Sequence, residues 1–447
     1  MGNSAHTADN AIKHFTFEGR QKAVLLSFIL LGAVCLLLSY FMDSTPHHSR
    51  FWTNYLINVV YFTGISFISL FVLAAFVTAY AGWYTVMKRI WEAYSQFLWV
   101  SFIFFAFLVL GVWMHWHHLY HWAMDGVTDP NSPNYDAILA GKAPFLNKYF
   151  FSIATMGMLA VWFFFAKRIR NISLQEDEQG SFGDFSFHRK LRVSAGIFLP
   201  IAAFSSAALI WQWVMSIDSH WYSTMFAWYA TASWFVGCLS LTILLLIYLK
   251  SKGYYSNVTD EHMHDLGKFL FAFSVFWTYL WFSQYMLIWY ANVGEETVYF
   301  HLRRNEYPVL FYGNLVINFF LPFFILMRNS TKRKYGTLAF TAILTFFGHW
   351  WDFFYMVKPS TLNSISHMDH SGSHGNEAEL HGAAEHGAGG AHGAGHSAGD
   401  GHGEVAHSDG HGDHGHSEAG HGEIAHSGDH GDAAAHGADH GHGAISP

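Results

Sequence analysis

The chain has 447 residues, of which 52% are hydrophobic and 19% aromatic but only 13% charged, about half the charged share of an ordinary soluble domain. That balance excludes a water-soluble globular protein and makes lipid the main solvent. The net charge of −8 is uneven: residues 360–447 hold 13 acidic residues and no Lys or Arg, which leaves the rest of the chain net positive.

In chain order, a polar segment (1–22) precedes a first apolar run at 23–42. The segment is long for a signal peptide and no small-residue cleavage pattern follows at 43–50, so the run is expected to stay as a span. Further apolar runs fall at 54–84, 96–115, 145–166, 193–215, 222–249, 266–290, 308–327 and 335–357. Each can cross a hydrocarbon core of ~30 Å at ~1.5 Å per residue. Stretches such as LLSFILLGAVCLLLSYFM (25–42) carry no charge, and most runs lack the polar stripe of a soluble surface helix. The expectation is an all-α integral membrane protein with about nine transmembrane helices in a domain spanning 23–358.

Of the 24 Lys and Arg, 18 lie in the N-terminal segment and the second, fourth, sixth and eighth connections. Basic residues are retained on the cytoplasmic side, so the N-terminus should be cytoplasmic. With nine spans the C-terminal tail would emerge on the opposite, periplasmic side of a bacterial inner membrane.

From Pro359 the composition changes: residues 360–447 hold 18 of the 32 His and 21 Gly. A segment this poor in apolar surface is expected to be disordered over 359–447. Its HG, AHG and DHG units, with His411, His414 and His416 as examples, can hold zinc, copper or nickel weakly. The plainer reading is a solvating tail whose charge falls as imidazoles protonate; the irregular spacing defines no fixed ligand set. Cys35 and Cys238 both lie inside spans, and there is no CxxCH for covalent haem and no cysteine set for an iron–sulfur centre.

Ionisable residues inside spans suggest function. In GHWWDFFYMVKP (348–359), His349 and Asp352 share one helical face toward the outer end of the ninth run. Such a pair either relays a proton or anchors the helix at the interface. Other outer ends carry related chemistry: His115, His117, His118 and His121 after the third run; Gln212, Asp218 and His220 after the fifth; Gln284, Tyr290, Asn292, Glu295 and Glu296 after the seventh. The pairs 117/121 and 118/121 can share a helix face. Taken singly each cluster reads as an interfacial anchor. Taken together they can line a shallow outer pocket with aromatic walls and proton acceptors, suited to a quinol. Haem or copper ligation by the 115–121 histidines is disfavoured, because they sit at a span's end rather than on facing helices. Asn314 and Asn318, four residues apart, suit interhelical hydrogen bonds. Pro200 and Pro322 are expected to interrupt two spans. The inner half holds mainly hydroxyls besides Glu92, so a proton path there would use Ser and Thr side chains with water.

The order FTFEGRQK, KRIWEAYSQF, SIDSHWYSTMFAWY, FWTYLWFSQYMLIWYANVGEETVYF and GHWWDFFYM, over residues 15–358, resembles the second NrfD-like membrane subunit of alternative complex III (ActF type). The resemblance implies a polysulfide-reductase-like membrane fold of two four-helix bundles plus flanking helices. It implies a quinol:cytochrome c oxidoreductase in a bacterial inner membrane, oxidising menaquinol or a similar quinol. Iron–sulfur clusters and c-haems would sit on partner subunits, beside a sister NrfD-like subunit, and this chain alone would bind no redox cofactor. It departs from the family pattern where a tenth span follows GHWWDFFYMVKP; here the His-rich tail takes that place. Two other classes stay open on residues alone: a divalent-metal transporter with a metal-collecting tail, and a structural membrane scaffold.

Overall fold

The computed structural model describes residues 19–179 and 185–385, with side chains through 362. The chain divides into two units, 1–383 and 384–447, and the second contributes only Ala384 and Glu385 to the described residues. Helices dominate, and no strand occurs among the described residues. They are α1 (Gly19–Phe41), α2 (Ser49–Thr78), α3 (Lys88–Ser95), α4 (Leu98–Trp113), α5 (Ala137–Lys142), α6 (Lys148–Gln179), α7 (Ser186–Trp213) and α8 (Thr224–Ser251). There follow α9 (Asp260–Ala291), α10 (Gly294–Asn305), α11 (Pro308–Leu315), α12 (Leu321–Leu326), α13 (Asn329–Lys332) and α14 (Tyr335–Glu385).

Among the described residues, eight helical segments are long and apolar enough to cross a bilayer, α3–α4 and α11–α12 each counting as one. The protein is therefore a multi-pass, all-helical membrane protein. The ninth apolar run lies in α14, where His349 and Asp352 dilute its apolar character.

Helix α2 is the centre of the packing, with contacts to α3, α4, α7 and α8. Its apolar stretch is 78% buried inside the protein, whereas that of α1 is wholly exposed. Lipid solvates apolar side chains as well as protein does, so α1 needs no protein cover. A close approach explains one glycine: a Cβ on Gly64 of α2 would lie 1.9 Å from the Trp234 indole of α8. Gly64→Leu should therefore force α2 and α8 apart, and overpacking of this kind costs roughly 1–3 kcal/mol. The expected result is a lower thermal midpoint in detergent than Gly32→Leu gives, since Gly32 on α1 meets open space.

Several boundaries differ from the sequence expectation. The second run stops at Thr78 rather than 84, because Tyr80 takes a left-handed conformation (φ 54°) before a 3-10 turn at 83–86. Helix α4 stops at Trp113 and His115 is left-handed (φ 54°), so the helix-face pairings 117/121 and 118/121 do not form. Pro200 sits within an uninterrupted α7. The run 308–327 does break, into α11, a π-helical segment at Val316–Phe320, and α12 with Pro322 in its first turn. The wider turn accommodates a proline that has no N–H to give. Helix α14 continues through Pro359 to Glu385, past the compositional boundary where the tail begins; helical backbone bonds are local and need no buried face. His411, His414 and His416 lie outside the described residues.

Candidate functional site

Along α14 the polar residues Thr341, Thr345, His349 and Asp352 recur every three or four positions, Ser360 follows eight residues on, and all are buried. At ~100° per residue they fall within about 100° of arc and span about 29 Å of helix axis. Helix α8 presents a matching stripe: Tyr229, Ser233 and Ser240, also buried, fall within about 40° of arc. The two stripes meet in register. Ser240 Oγ and Thr345 Oγ1 are 2.8 Å apart, Ser233 Oγ lies 2.9 Å from His349 Nδ1, and the Tyr229 hydroxyl donates to Asp352 Oδ1.

Asp352 is fully buried and accepts two further bonds, from Trp277 Nε1 of α9 (2.9 Å) and Asn314 Nδ2 of α11 (2.7 Å). Asn318, in the π-helical segment, donates to Asn314 Oδ1 (2.7 Å) and to the Gly348 carbonyl (2.9 Å). The interhelical role expected of both asparagines is thus in place. It also requires a glycine, since a Cβ at 348 would stand 2.2 Å from Asn318 Oδ1. His349 and Asp352 approach to 4.0 Å, His349 packs edge-on to Trp277 with centroids 5.2 Å apart, and its Nε2 has no hydrogen-bond partner. Both side chains are wholly enclosed by protein.

One turn further, Arg303 of α10 is fully buried. Its Nη2 donates to the Met356 carbonyl (2.8 Å) and to Ser360 Oγ (2.5 Å), and lies 3.7 Å from Asp218 Oδ2. Ser360 also donates to Asp218. Tyr299 lies beneath the guanidinium, its ring centre 3.3 Å from Arg303 Cζ, and its buried hydroxyl has no hydrogen-bond partner. A second polar group thus joins Ser360 of α14, through Arg303, to the half-buried Asp218.

The connections 42–48, 114–147, 214–223 and 292–307 meet one another at this end, through ring contacts such as His47–His118 (3.9 Å) and His121–His220 (6.0 Å) and the bond from Trp221 to the Glu296 carbonyl (3.1 Å). Their polar residues form separate groups. Lys148 donates to Asp125 at 3.0 Å and holds its carboxyl below the ordinary value, with His115 alongside. His117 folds back so that Nε2 lies 3.2 Å from the Leu108 carbonyl, and burial pushes its imidazole down to about 4. Burial, with the neighbouring charges of His47 and His115, lowers His118 as well. Gln212 and Gln284 are buried helix residues, Glu296 is half-buried, and Glu295, Tyr290 and Asn292 are exposed. Asn292 serves as the left-handed cap of α9 (φ 48°).

The cavity at His115, His117 and His118 is about 10 Å³, room for one water. A cleft of about 490 Å³ lies elsewhere, between α2, α7, α8 and α9, with walls that are mostly apolar and aromatic. The candidates that the fold does bring together are His349 with Asp352, Asp218 with Ser360 of α14, and His121 with His220. Tyr229, Ser233, Trp277, Arg303, Thr345 and Ser360 complete the first two groups without having been singled out from sequence. The signal available was the repeat of Thr, Thr, His, Asp and Ser at helical spacing over 341–360.

At the opposite end, Arg89 pairs with the buried Glu92 and with Asp177, and Lys250 donates to the Tyr335 hydroxyl (2.6 Å). Comparison with protein-family models and with curated proteins finds no match.

Proposed function

We propose that the chain is a non-redox integral membrane subunit of a quinol:electron-carrier oxidoreductase of the alternative complex III type, and that it conducts protons along the α8–α14 polar line. In this reading nine helices cross a bacterial inner membrane as NrfD-like paired four-helix bundles. The N-terminus is cytoplasmic, and the Asp218 end of the line opens to the periplasm. Quinol oxidation releases protons, and partner subunits carry the iron–sulfur clusters and c-haems.

The observation that carries the proton-path reading is a fully buried carboxylate and imidazole on one continuous polar stripe, Asp352 and His349. Such groups are expensive in a membrane and their usual use is proton or ion transfer. The role in a respiratory assembly rests on the sequence resemblance over 15–358. The unpartnered His349 Nε2 leaves one nitrogen available to a transient water in the line.

Isolating the native assembly through this chain tests the assignment. It should bring down c-haem and iron–sulfur subunits with quinol-oxidising activity; a chain that comes down without them would overturn it. The proton path has its own test. Removing the 2.8 Å hydroxyl contact with the pair Ser240→Ala and Thr345→Val should slow proton movement in proteoliposomes several-fold, read with a pH-sensitive dye, and leave uncoupled quinol oxidation unchanged. An unchanged proton rate would leave a scaffold role.

A further inference from the structure

Outside the α8–α14 line, three ligand-type side chains from separate chain segments converge at the end that holds Asp218. They are His121, in the 3-10 turn after α4; Asp136, immediately before α5; and His220, between α7 and α8. One nitrogen or oxygen of each lies within 4.8 Å of the others. We propose that His121, Asp136 and His220 form a divalent transition-metal site, of zinc type, that staples the α4–α6 connection to the α7–α8 connection.

The local structure is arranged for ligation. Asp136 caps α5 with one oxygen, Oδ1, which accepts from the backbone of Ile138 (2.9 Å) and Leu139 (3.1 Å). That leaves Oδ2 aimed at His220 Nε2, 2.5 Å away. The His220 backbone is held in turn: Lys142 Nζ donates to the Ser219 carbonyl (2.7 Å) and the His220 carbonyl (3.4 Å). The same lysine is a nearby positive charge, but its donors are directed at carbonyls rather than at the ligand atoms. A carboxylate whose second oxygen is fixed by the backbone, and an imidazole whose main chain is fixed, are the outer supports that metal sites use to orient their ligands.

Two imidazoles and one carboxylate are a zinc-type donor set that leaves a fourth position for water. Metal–ligand bonds of about 2.0–2.1 Å put tetrahedral ligand atoms roughly 3.3 Å apart. The His220–Asp136 contact would therefore widen by somewhat under 1 Å, which the half-exposed His220 side chain can supply. The rival is a plain imidazole–carboxylate pair between His220 and Asp136. Softer sites need thiolates, and both cysteines lie within helices outside these connections, Cys35 in α1 and Cys238 in α8.

The 18 tail histidines would swamp any measurement of total metal bound, so the test must resolve single residues. Full-length protein in nanodiscs is treated with diethyl pyrocarbonate with and without zinc, and carbethoxylation is followed peptide by peptide. Zinc should slow modification of His121 and His220 at least tenfold and leave the exposed His301 unchanged. Asp136→Asn, which keeps the capping oxygen, should cut that protection to under twofold at both residues. His220→Ala, which leaves the cap untouched, should abolish it at His121. Equal rates with and without zinc in the parent protein, or protection that survives both substitutions, would overturn the site.

Discussion

Asp352→Asn should abolish proton conduction by the assembly while leaving the helix bundle standing, and Asp352→Ala should damage both. The carboxylate takes three donors, from Tyr229, Trp277 and Asn314, with no exposure to solvent. Alanine removes the acceptor for all three at once, and each buried donor left unmade costs about 1–3 kcal/mol. Membrane helices in the unfolded state find substitute partners, so the lower end of that range applies. A fall of several degrees in the detergent thermal midpoint is the expected reading for Asp352→Ala. Asparagine is isosteric and keeps one oxygen for two of the donors, but it cannot take up and release a proton near neutral pH. Its midpoint should stay within a few degrees of the parent while proton movement per quinol oxidised drops at least tenfold. Proton movement at the parental rate in a well-folded Asp352→Asn assembly would make the buried carboxylate purely structural.

The membrane class and most helices were legible from apolar runs alone, because a span must be long and continuous to satisfy its backbone in lipid. The His349–Asp352 pair was legible because charged residues are rare inside such runs. Its surroundings were not. Tyr229, Trp277 and Asn314 come from three other helices, and nothing in their own local sequence says which residue they face. The histidines at 115–121 misled for a related reason: helical spacing pairs 117 with 121, but the left-handed turn at His115 ends the helix first. His121 instead faces His220, about a hundred residues away in sequence. The break at 316–320 was half legible. Pro322 predicted an interruption, whereas the π-helical form that places Asn318 against Gly348 depends on packing with α14.

Arg303→Ala should be the most destabilising single substitution at the Asp218 end, and part of its cost should be recoverable by changing Pro359. Proline at 359 has no N–H, so the carbonyl of Tyr355, four residues earlier, loses its helical partner. Arg303 Nε donates to that carbonyl at 3.3 Å while Nη1 binds the Tyr299 carbonyl (3.1 Å) and Nη2 binds Met356 and Ser360. The guanidinium thus supplies the donor that the proline withholds, and α14 runs on through Pro359 instead of ending there. Removing one partner of a buried charged network costs roughly 3–5 kcal/mol, and Arg303→Lys should recover little because a lysine cannot present the planar fork. Pro359→Ala alone should be close to neutral. In the Arg303→Ala background it restores an N–H for the Tyr355 carbonyl and should return about 1 kcal/mol, the net worth of one hydrogen bond. Thermal midpoints of the parent, the two single variants and the double variant measure the coupling. A Pro359→Ala effect of equal size in both backgrounds would mean that Arg303 holds Asp218 and Ser360 alone and leaves the proline's carbonyl to the helix.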